Sequence, residues 1–309
     1  MVMKRGGLMK RRKQKSRIKE SFTDQLFLYS VYAFLILVLI IVLYPIVYIV
    51  SSSISSAEAV TAGEVWLWPV DISFAGYREV LTNSDVLRGF KNSIIYTISY
   101  TLLAVVLTVV FAYPLSRRNF YGRTFLMFFI LITMLFSGGL IPEYLLVQRL
   151  GMLDSIWAII IPKAIAVWQV IIARTFFQTS IPEELVEASE MDGCSSIRFL
   201  WSVVLPLSKP IIAVLALMYA VIQWNSYFDA MIFLKTRDLF PLQLELREIL
   251  ITQTSSGANM DIAVQAERDR LANLMKYSLI VVSSLPVLVI YPFAQKYFVK
   301  GMLIGSVKG

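Results

Sequence analysis

Ser180-Ile-Pro-Glu-Glu-Leu-Val-Glu-Ala-Ser-Glu-Met-Asp-Gly-Cys-Ser-Ser-Ile-Arg-Phe-Leu-Trp-Ser-Val-Val-Leu-Pro206 is the one long acidic, well-punctuated segment between two apolar spans. Ser180 can accept from the amide of Glu183 while Glu183 reaches back, with Pro182 in the first turn, so a helix start is predicted here. Gly193 is its natural stop. Between these signals Ile181, Leu185, Ala188 and Met191 recur at helical spacing, and Glu183, Glu187 and Glu190 form a separate acidic stripe, which predicts a short amphipathic helix. A second start at Ser195 or Ser196 runs toward Leu205-Pro206, where the chain turns into the next apolar span. A segment of this kind is suited to docking onto a partner.

Composition sets the class. Of 309 residues, 57% are hydrophobic and 16% charged, far from the balance of a soluble domain, so the chain reads as all-α and integral to a membrane. The single cysteine, Cys194, excludes an internal disulfide, and the absence of histidine removes the commonest general base and metal ligand. The net charge of +8 does not point to nucleic acid, because nine of the 29 basic residues lie in the first 19 positions. That block reads as a topology signal beside a membrane span.

Charge-free intervals place the spans. Residues 1–22 form a basic tail expected on the cytoplasmic side. Residues 23–52 hold the first span, whose apolar part, Leu26 to Val50, exceeds the ~20 residues that cross a bilayer and is too long for a signal-peptide core. Residues 53–91 form an extracytoplasmic loop, with Trp66 and Trp68 at an interface and a short helix over Phe74–Leu81. Asn92–Ser116 is the second span, and Arg117, Arg118 and Arg123 return it to the basic side. Thr124–Pro142, Ser155–Phe177, Pro210–Leu234 and Tyr277–Gln295 follow as the third to sixth spans, with both termini cytoplasmic. Lys163 lies within the fourth span, where a basic group either faces a water-filled pathway or reaches the outer headgroups.

The segment Glu187-Ala188-Ser189, Gly193, Val203 and Leu205-Pro206 resembles the signature of ABC importer permeases, with Ser189 where that family often has Ala and Val203 where it often has Ile. The resemblance implies the type I importer permease fold, with a core over 88–300 holding five of the six spans, a cytoplasmic coupling loop over 178–209 and a C-terminal tail over 301–309. It also implies that Glu183, Glu187, Ala188, Ser189, Gly193, Val203, Leu205 and Pro206 sit in or beside a groove of a separate ATPase. Trp224-Asn225-Ser226, Leu239–Leu244 and the ending Val299–Gly309 are similar to carbohydrate-importer permeases of the maltose type, the shorter second permease. Within that group they resemble Gram-positive permeases for oligosaccharides derived from complex polysaccharides. The likeness of the tail implies that Lys308 and Gly309 reach the ATPase dimer.

The chain has no Gly-x-x-x-x-Gly-Lys-Ser/Thr run, so it binds no ATP by that route and no cofactor of its own is expected. The implied partners are a homologous second permease, two ATPase subunits carrying ATP and Mg, an extracytoplasmic solute-binding lipoprotein and membrane lipid. The implied location is the bacterial plasma membrane. A sugar pathway needs aromatic faces beside amides and carboxylates, and Trp224, Asn225, Tyr227 and Asp229, with Trp168 and Gln169, are the dense candidates. Interhelix hydrogen bonding and an interfacial aromatic belt are the competing roles for them. Two other functions stay open: a permease for a different solute, and a membrane scaffold or embedded enzyme, against which stands the lack of any acid, base and nucleophile set.

Overall fold

The structure, a computed structural model, describes residues 21–252, 270, 272, 273, 275–292 and 295. The described residues form helices and loops with no strand. Along the chain these are α1 (Phe22–Ser53), α2 (Ala57–Thr61), α3 (Ala75–Thr82), α4 (Ser84–Ser116), α5 (Arg123–Leu135), α6 (Leu140–Arg149), α7 (Ile156–Ile160), α8 (Val167–Ser180) and α9 (Glu183–Met191). There follow α10 (Ser196–Phe199), a π turn (Leu200–Val204), α11 (Leu205–Leu207), α12 (Lys209–Trp224), α13 (Phe228–Phe233), a 3-10 turn (Arg237–Leu239), α14 (Leu242–Thr252) and α15 (Met275–Pro292).

The chain divides inside α1, into a unit ending at Tyr48 and a second beginning at Ile49. In the first unit α1 exposes apolar side chains around almost its whole circumference, as a helix solvated by lipid does. The second unit opens with Ser51, Ser52 and Ser53, all buried. Ser51 Oγ donates to Leu67 O at 2.6 Å, and Ser53 Oγ shares a hydrogen bond with the Tyr77 hydroxyl at 2.8 Å, tying the loop after α2 and α3 to this serine run.

The organising element of the second unit is α4, capped by Asn83, whose Oδ1 accepts from the amides of Asp85 and Val86. Its 33 residues give about 50 Å of helix, longer than a bilayer core. Val86, Gly89, Ser93, Tyr96, Tyr100, Ala104, Thr108 and Ala112 are buried at three- and four-residue spacing, and this seam receives α8, α12 and α14. Small residues set the approach. A Cβ on Gly89 would lie 3.2 Å from the backbone of Leu242 and 3.1 Å from Glu245 Cγ, so any larger residue would make α14 give by a few tenths of an ångström.

The expected third span is a bent pair, α5 and α6 meeting at 113°, while the helix Ser196–Leu207 meets α12 at 81°, close to the turn expected at Leu205-Pro206. The first bend follows from Ser137-Gly138-Gly139, where Gly139 takes φ +86°, so Thr124–Pro142 is not one helix. The expected fourth span is also broken, into α7 and α8, with residues 161–166 outside α-helix around Pro162, which has no N–H to give. The expected fifth span breaks at 225–227, between α12 and α13. Three helices, α1, α4 and α15, are each long and apolar enough to cross a membrane, and counting each bent pair as one span brings the number to five among the described residues.

Candidate functional site

The acidic segment folds as two short helices set on the core by a few anchors. α9 starts at Glu183 behind Pro182, with no side chain capping its first turn. Ser180 instead closes α8, and its buried Oγ has no hydrogen-bond partner, so the expected Ser180–Glu183 box does not form. The reason is the β-region backbone at Ile181 and Pro182, which separates the two helices. The stop does form. Gly193 adopts φ +69°, its amide donates to Glu190 O at 3.0 Å, and the amide of Cys194 donates to Ser189 O at 2.9 Å. These are the two bonds of a Schellman motif.

Ser195 then caps α10 by accepting from the Arg198 amide, as expected. Phe199 and Val204 are buried, as is Ile181, in a core built from Ala112, Tyr113, Ala173, Phe177 and Leu215, and Val186, Val203 and Leu205 pack against it. The opposite face of α9 has no cover among the described residues. Leu185 is 43% exposed and Met191 88% exposed, flanking the exposed Ala188 and Glu187. Of the stripe expected from spacing, Leu185, Ala188 and Met191 therefore point away from the core while Ile181 is buried in it, and Val186 and Ser189 take the inner side of α9. Ile197 and Trp201 extend the exposed apolar surface onto α10 and the π turn, at 72% and 69%.

The pathway candidates gather where the α7–α8 and α12–α13 breaks face one another. Lys163 Nζ lies 2.5 Å from Asp229 Oδ1, so the two interruptions are joined by an ion pair. Lys163 is thus held by a carboxylate rather than left to reach for headgroups. A carbonyl freed by the first break is met by a tyrosine: Tyr100 Oη donates to Lys163 O at 2.9 Å. Tyr219, fully buried, shares a 2.6 Å hydrogen bond with Thr108 Oγ1 and meets the Tyr100 ring edge-on at 5.7 Å. Trp168 and Tyr227 are exposed near the breaks. Trp224 and Gln169 are buried, and Trp224 Nε1 donates to Ser283 O at 2.9 Å while its ring takes Phe90 edge-on, which is an anchoring role. Asn225 Nδ2 donates to Val221 O, closing its own helix.

Asp154 clamps the chain just past α13. Its Oδ1 accepts from the amides of Lys235 and Thr236, both at 2.8 Å, and its Oδ2 from Thr236 Oγ1 at 2.6 Å. The Thr236 hydroxyl and these amides hold the carboxyl below its ordinary range. Nearby, Arg237 Nη2 approaches Asp85 and Glu245 at 3.1 and 3.5 Å, and burial pushes the Glu245 carboxyl upward, an effect Arg237 opposes.

A family model described as the inner membrane component of binding-protein-dependent transport systems matches residues 90–304, from within α4 past α15 and across the whole acidic segment. The chain belongs to that family. The polygalacturonan/rhamnogalacturonan transport system permease protein YtcP of Bacillus subtilis (strain 168) is 39% identical over 287 residues, covering 93% of this chain and 99% of its own. Protein LplC of the same organism is 40% identical over 272 residues, 87% of this chain and 90% of LplC. A chain in the crystal structure of a bacterial ABC transporter involved in the import of the acidic polysaccharide alginate superposes with a TM-score of 0.82 at 35% identity, over 90% of this chain and 99% of that one. The helical architecture is thus that of a type I importer permease, and this transport component is a multi-pass protein of the bacterial membrane.

Within this permease, sequence reasoning located the acidic segment and its stop but missed the polar frame of the breaks. Tyr100, Thr108 and Tyr219 lie in apolar runs, and a buried hydroxyl that must find a partner was the available signal. Asp154 carried no signal beyond its place in a short loop. Lys308 and Gly309 lie outside the described residues.

Proposed function

We propose that this chain is one of two permease subunits of an ATP-driven importer and carries a carbohydrate, an oligosaccharide released from a complex polysaccharide, into the cell. The observation that carries the coupling half of this reading is the outward face of α9, where Leu185, Ala188 and Met191 present apolar surface beside Glu187 with none of the described residues upon it. Such a face is suited to a groove on a cytoplasmic ATPase, with Gly193 fixing the exit angle and Val203, Leu205 and Pro206 passing motion through the π turn into α12. Ser189 turns inward, its hydroxyl returned to Val186 O at 2.8 Å. Glu183 starts the helix. Lys308 and Gly309 add a second contact with the same ATPase.

In this reading ATP and Mg belong to the two ATPase subunits, and this chain is not itself an enzyme. A homologous permease completes the pathway, and a solute-binding lipoprotein delivers the sugar outside. The segment α7–α8 is counted as a broken span, giving six with both termini inside. The cargo follows from the relatives named for polygalacturonan, rhamnogalacturonan and alginate. Trp168, Tyr227 and the Lys163–Asp229 pair are the groups best placed to meet it, while Trp224, Asn225 and Gln169 support them from within the helices.

Purification of the tagged chain in mild detergent, with mass spectrometry of what accompanies it and uptake by the reconstituted assembly, tests this. Recovery of a second permease, an ATPase and a binding protein, with ATP-dependent uptake of an oligosaccharide, is expected. Uptake of amino acids or peptides alone would move the cargo to another solute, and recovery of the chain alone beside an intact control transporter would overturn the reading.

A further inference from the structure

We propose that the cleft where α4 meets α5 binds an anionic phospholipid of the surrounding membrane, with its phosphate among arginines and an acyl chain in the adjoining apolar groove. The groove, about 370 Å³, lies between the two helices and is lined by Val110, Phe111, Pro114, Leu126, Phe129 and Ile130. Phe120 closes one end and is shared with a recess of about 710 Å³ that Arg118, Arg123 and Arg174 line. A third recess, about 330 Å³, repeats Arg118 and Arg123, adds Arg117, and reaches Pro182 and Glu183 at the start of α9.

The arginines at this end are unmatched. Among the described residues none of Arg117, Arg118, Arg123 and Arg174 forms an ion pair. Glu183 is the one acidic side chain lining the recesses. Arg117 lies over the rings of Tyr113 and Phe199, and its Nε and Nη2 are buried without a hydrogen-bond partner. Arg174 is fixed by donating from Nε to Leu115 O at 3.0 Å. The first turn of α5 begins at Gly122 with no side-chain cap, adding the positive end of the helix to the field. Guanidinium groups pair with phosphate in a bidentate fork, and basic pockets between membrane helices on the cytoplasmic side hold anionic headgroups. A free anion would leave the groove unfilled and an uncharged lipid would leave the arginines unmatched, so an amphiphile with a negative head answers both. Because the third recess ends on α9, the lipid sits against the root of the segment read as the coupling helix.

The test is native mass spectrometry of the purified, delipidated transporter complex titrated with phosphatidylglycerol or phosphatidylcholine. Half-occupancy by phosphatidylglycerol is expected at a concentration several-fold lower, with the preference lost in Arg118→Gln/Arg123→Gln and largely kept in Arg118→Lys/Arg123→Lys, a pair that controls for folding. Val110→Trp, which fills the groove, should weaken retention of both lipids, and millimolar inorganic phosphate should not displace phosphatidylglycerol. Equal retention of the two lipids, an unchanged preference in the glutamine pair, complete displacement by phosphate, or a photo-crosslinker at Phe129 that captures only a protein subunit would each overturn the proposal.

Discussion

Replacing Gly193 isolates the backbone term that holds the coupling segment. A Cβ built at Gly193 meets nothing within 4 Å, so a side chain there adds no clash, and the whole cost of Gly193→Ala is that of holding an L-residue at φ +69°. That cost is about 1–2 kcal/mol, which lowers the ratio of closed to open motif roughly 5- to 30-fold. Asn tolerates the left-handed region and should lose less. Pro cannot reach positive φ and removes the amide that bonds Glu190 O, so Gly193→Pro should cost about 3 kcal/mol or more and abolish assembly. Hydrogen exchange at the Cys194 amide reads the motif directly, and recovery of the ATPase on the tagged chain reads its consequence. Protection and recovery should fall in the order Gly, Asn, Ala, Pro. Alanine indistinguishable from glycine, or asparagine as damaging as alanine, would refute the backbone argument.

Three further outcomes follow from the breaks and the Asp154 clamp. Asp229 is 16% exposed and Lys163 52%, so Lys163→Met, which strands the more buried charge, should cost about 1–3 kcal/mol, less than a fully buried pair. A double-mutant cycle with Asp229→Ala by thermal unfolding should show coupling of about 1 kcal/mol, and strict additivity would mean the pair is incidental. Tyr219→Phe removes the hydroxyl that Thr108 Oγ1 pairs with in a buried site, expected to cost about 1–3 kcal/mol, and a change below 0.5 kcal/mol in thermal unfolding would contradict that. The Asp154 carboxyl is held below its unfolded value, so the stability it contributes is present above the ordinary carboxylate range and lost as pH falls through its lowered folded value. Exchange protection at the Lys235 and Thr236 amides should persist down to about pH 4 and vanish in Asp154→Asn, whereas loss already near pH 5 would show another group in control.

Charge intervals and glycine signals located the apolar segments, since burying a charge in hydrocarbon is costly enough to write itself into the sequence at low resolution. Gly193 and Ser195 were legible because each acts on its own neighbours. Ser180 was misleading for the same reason: the local box competes with the entry of α8 into the core at Ile181, and tertiary burial of Ile181 prevails. The breaks at 161–166 and 225–227 had local signals, Pro162 and Lys163 in one and Asn225-Ser226 in the other, but the length of a span fits a broken helix as well as a straight one. Pairing Lys163 with Asp229 needs two segments 66 residues apart, and no local pattern encodes it. The outward turn of Leu185 and Met191 was likewise unreadable, because periodicity defines a stripe but not what it faces.

A photo-crosslinking residue at Met191, 88% exposed on the outer face of α9, tests the central claim most directly when activated in the assembled transporter. The account predicts a covalent product with the ATPase subunit, reduced in Gly193→Pro. A product with the second permease or lipid alone, in an assembly that hydrolyses ATP, would contradict the assignment of α9 as the coupling helix.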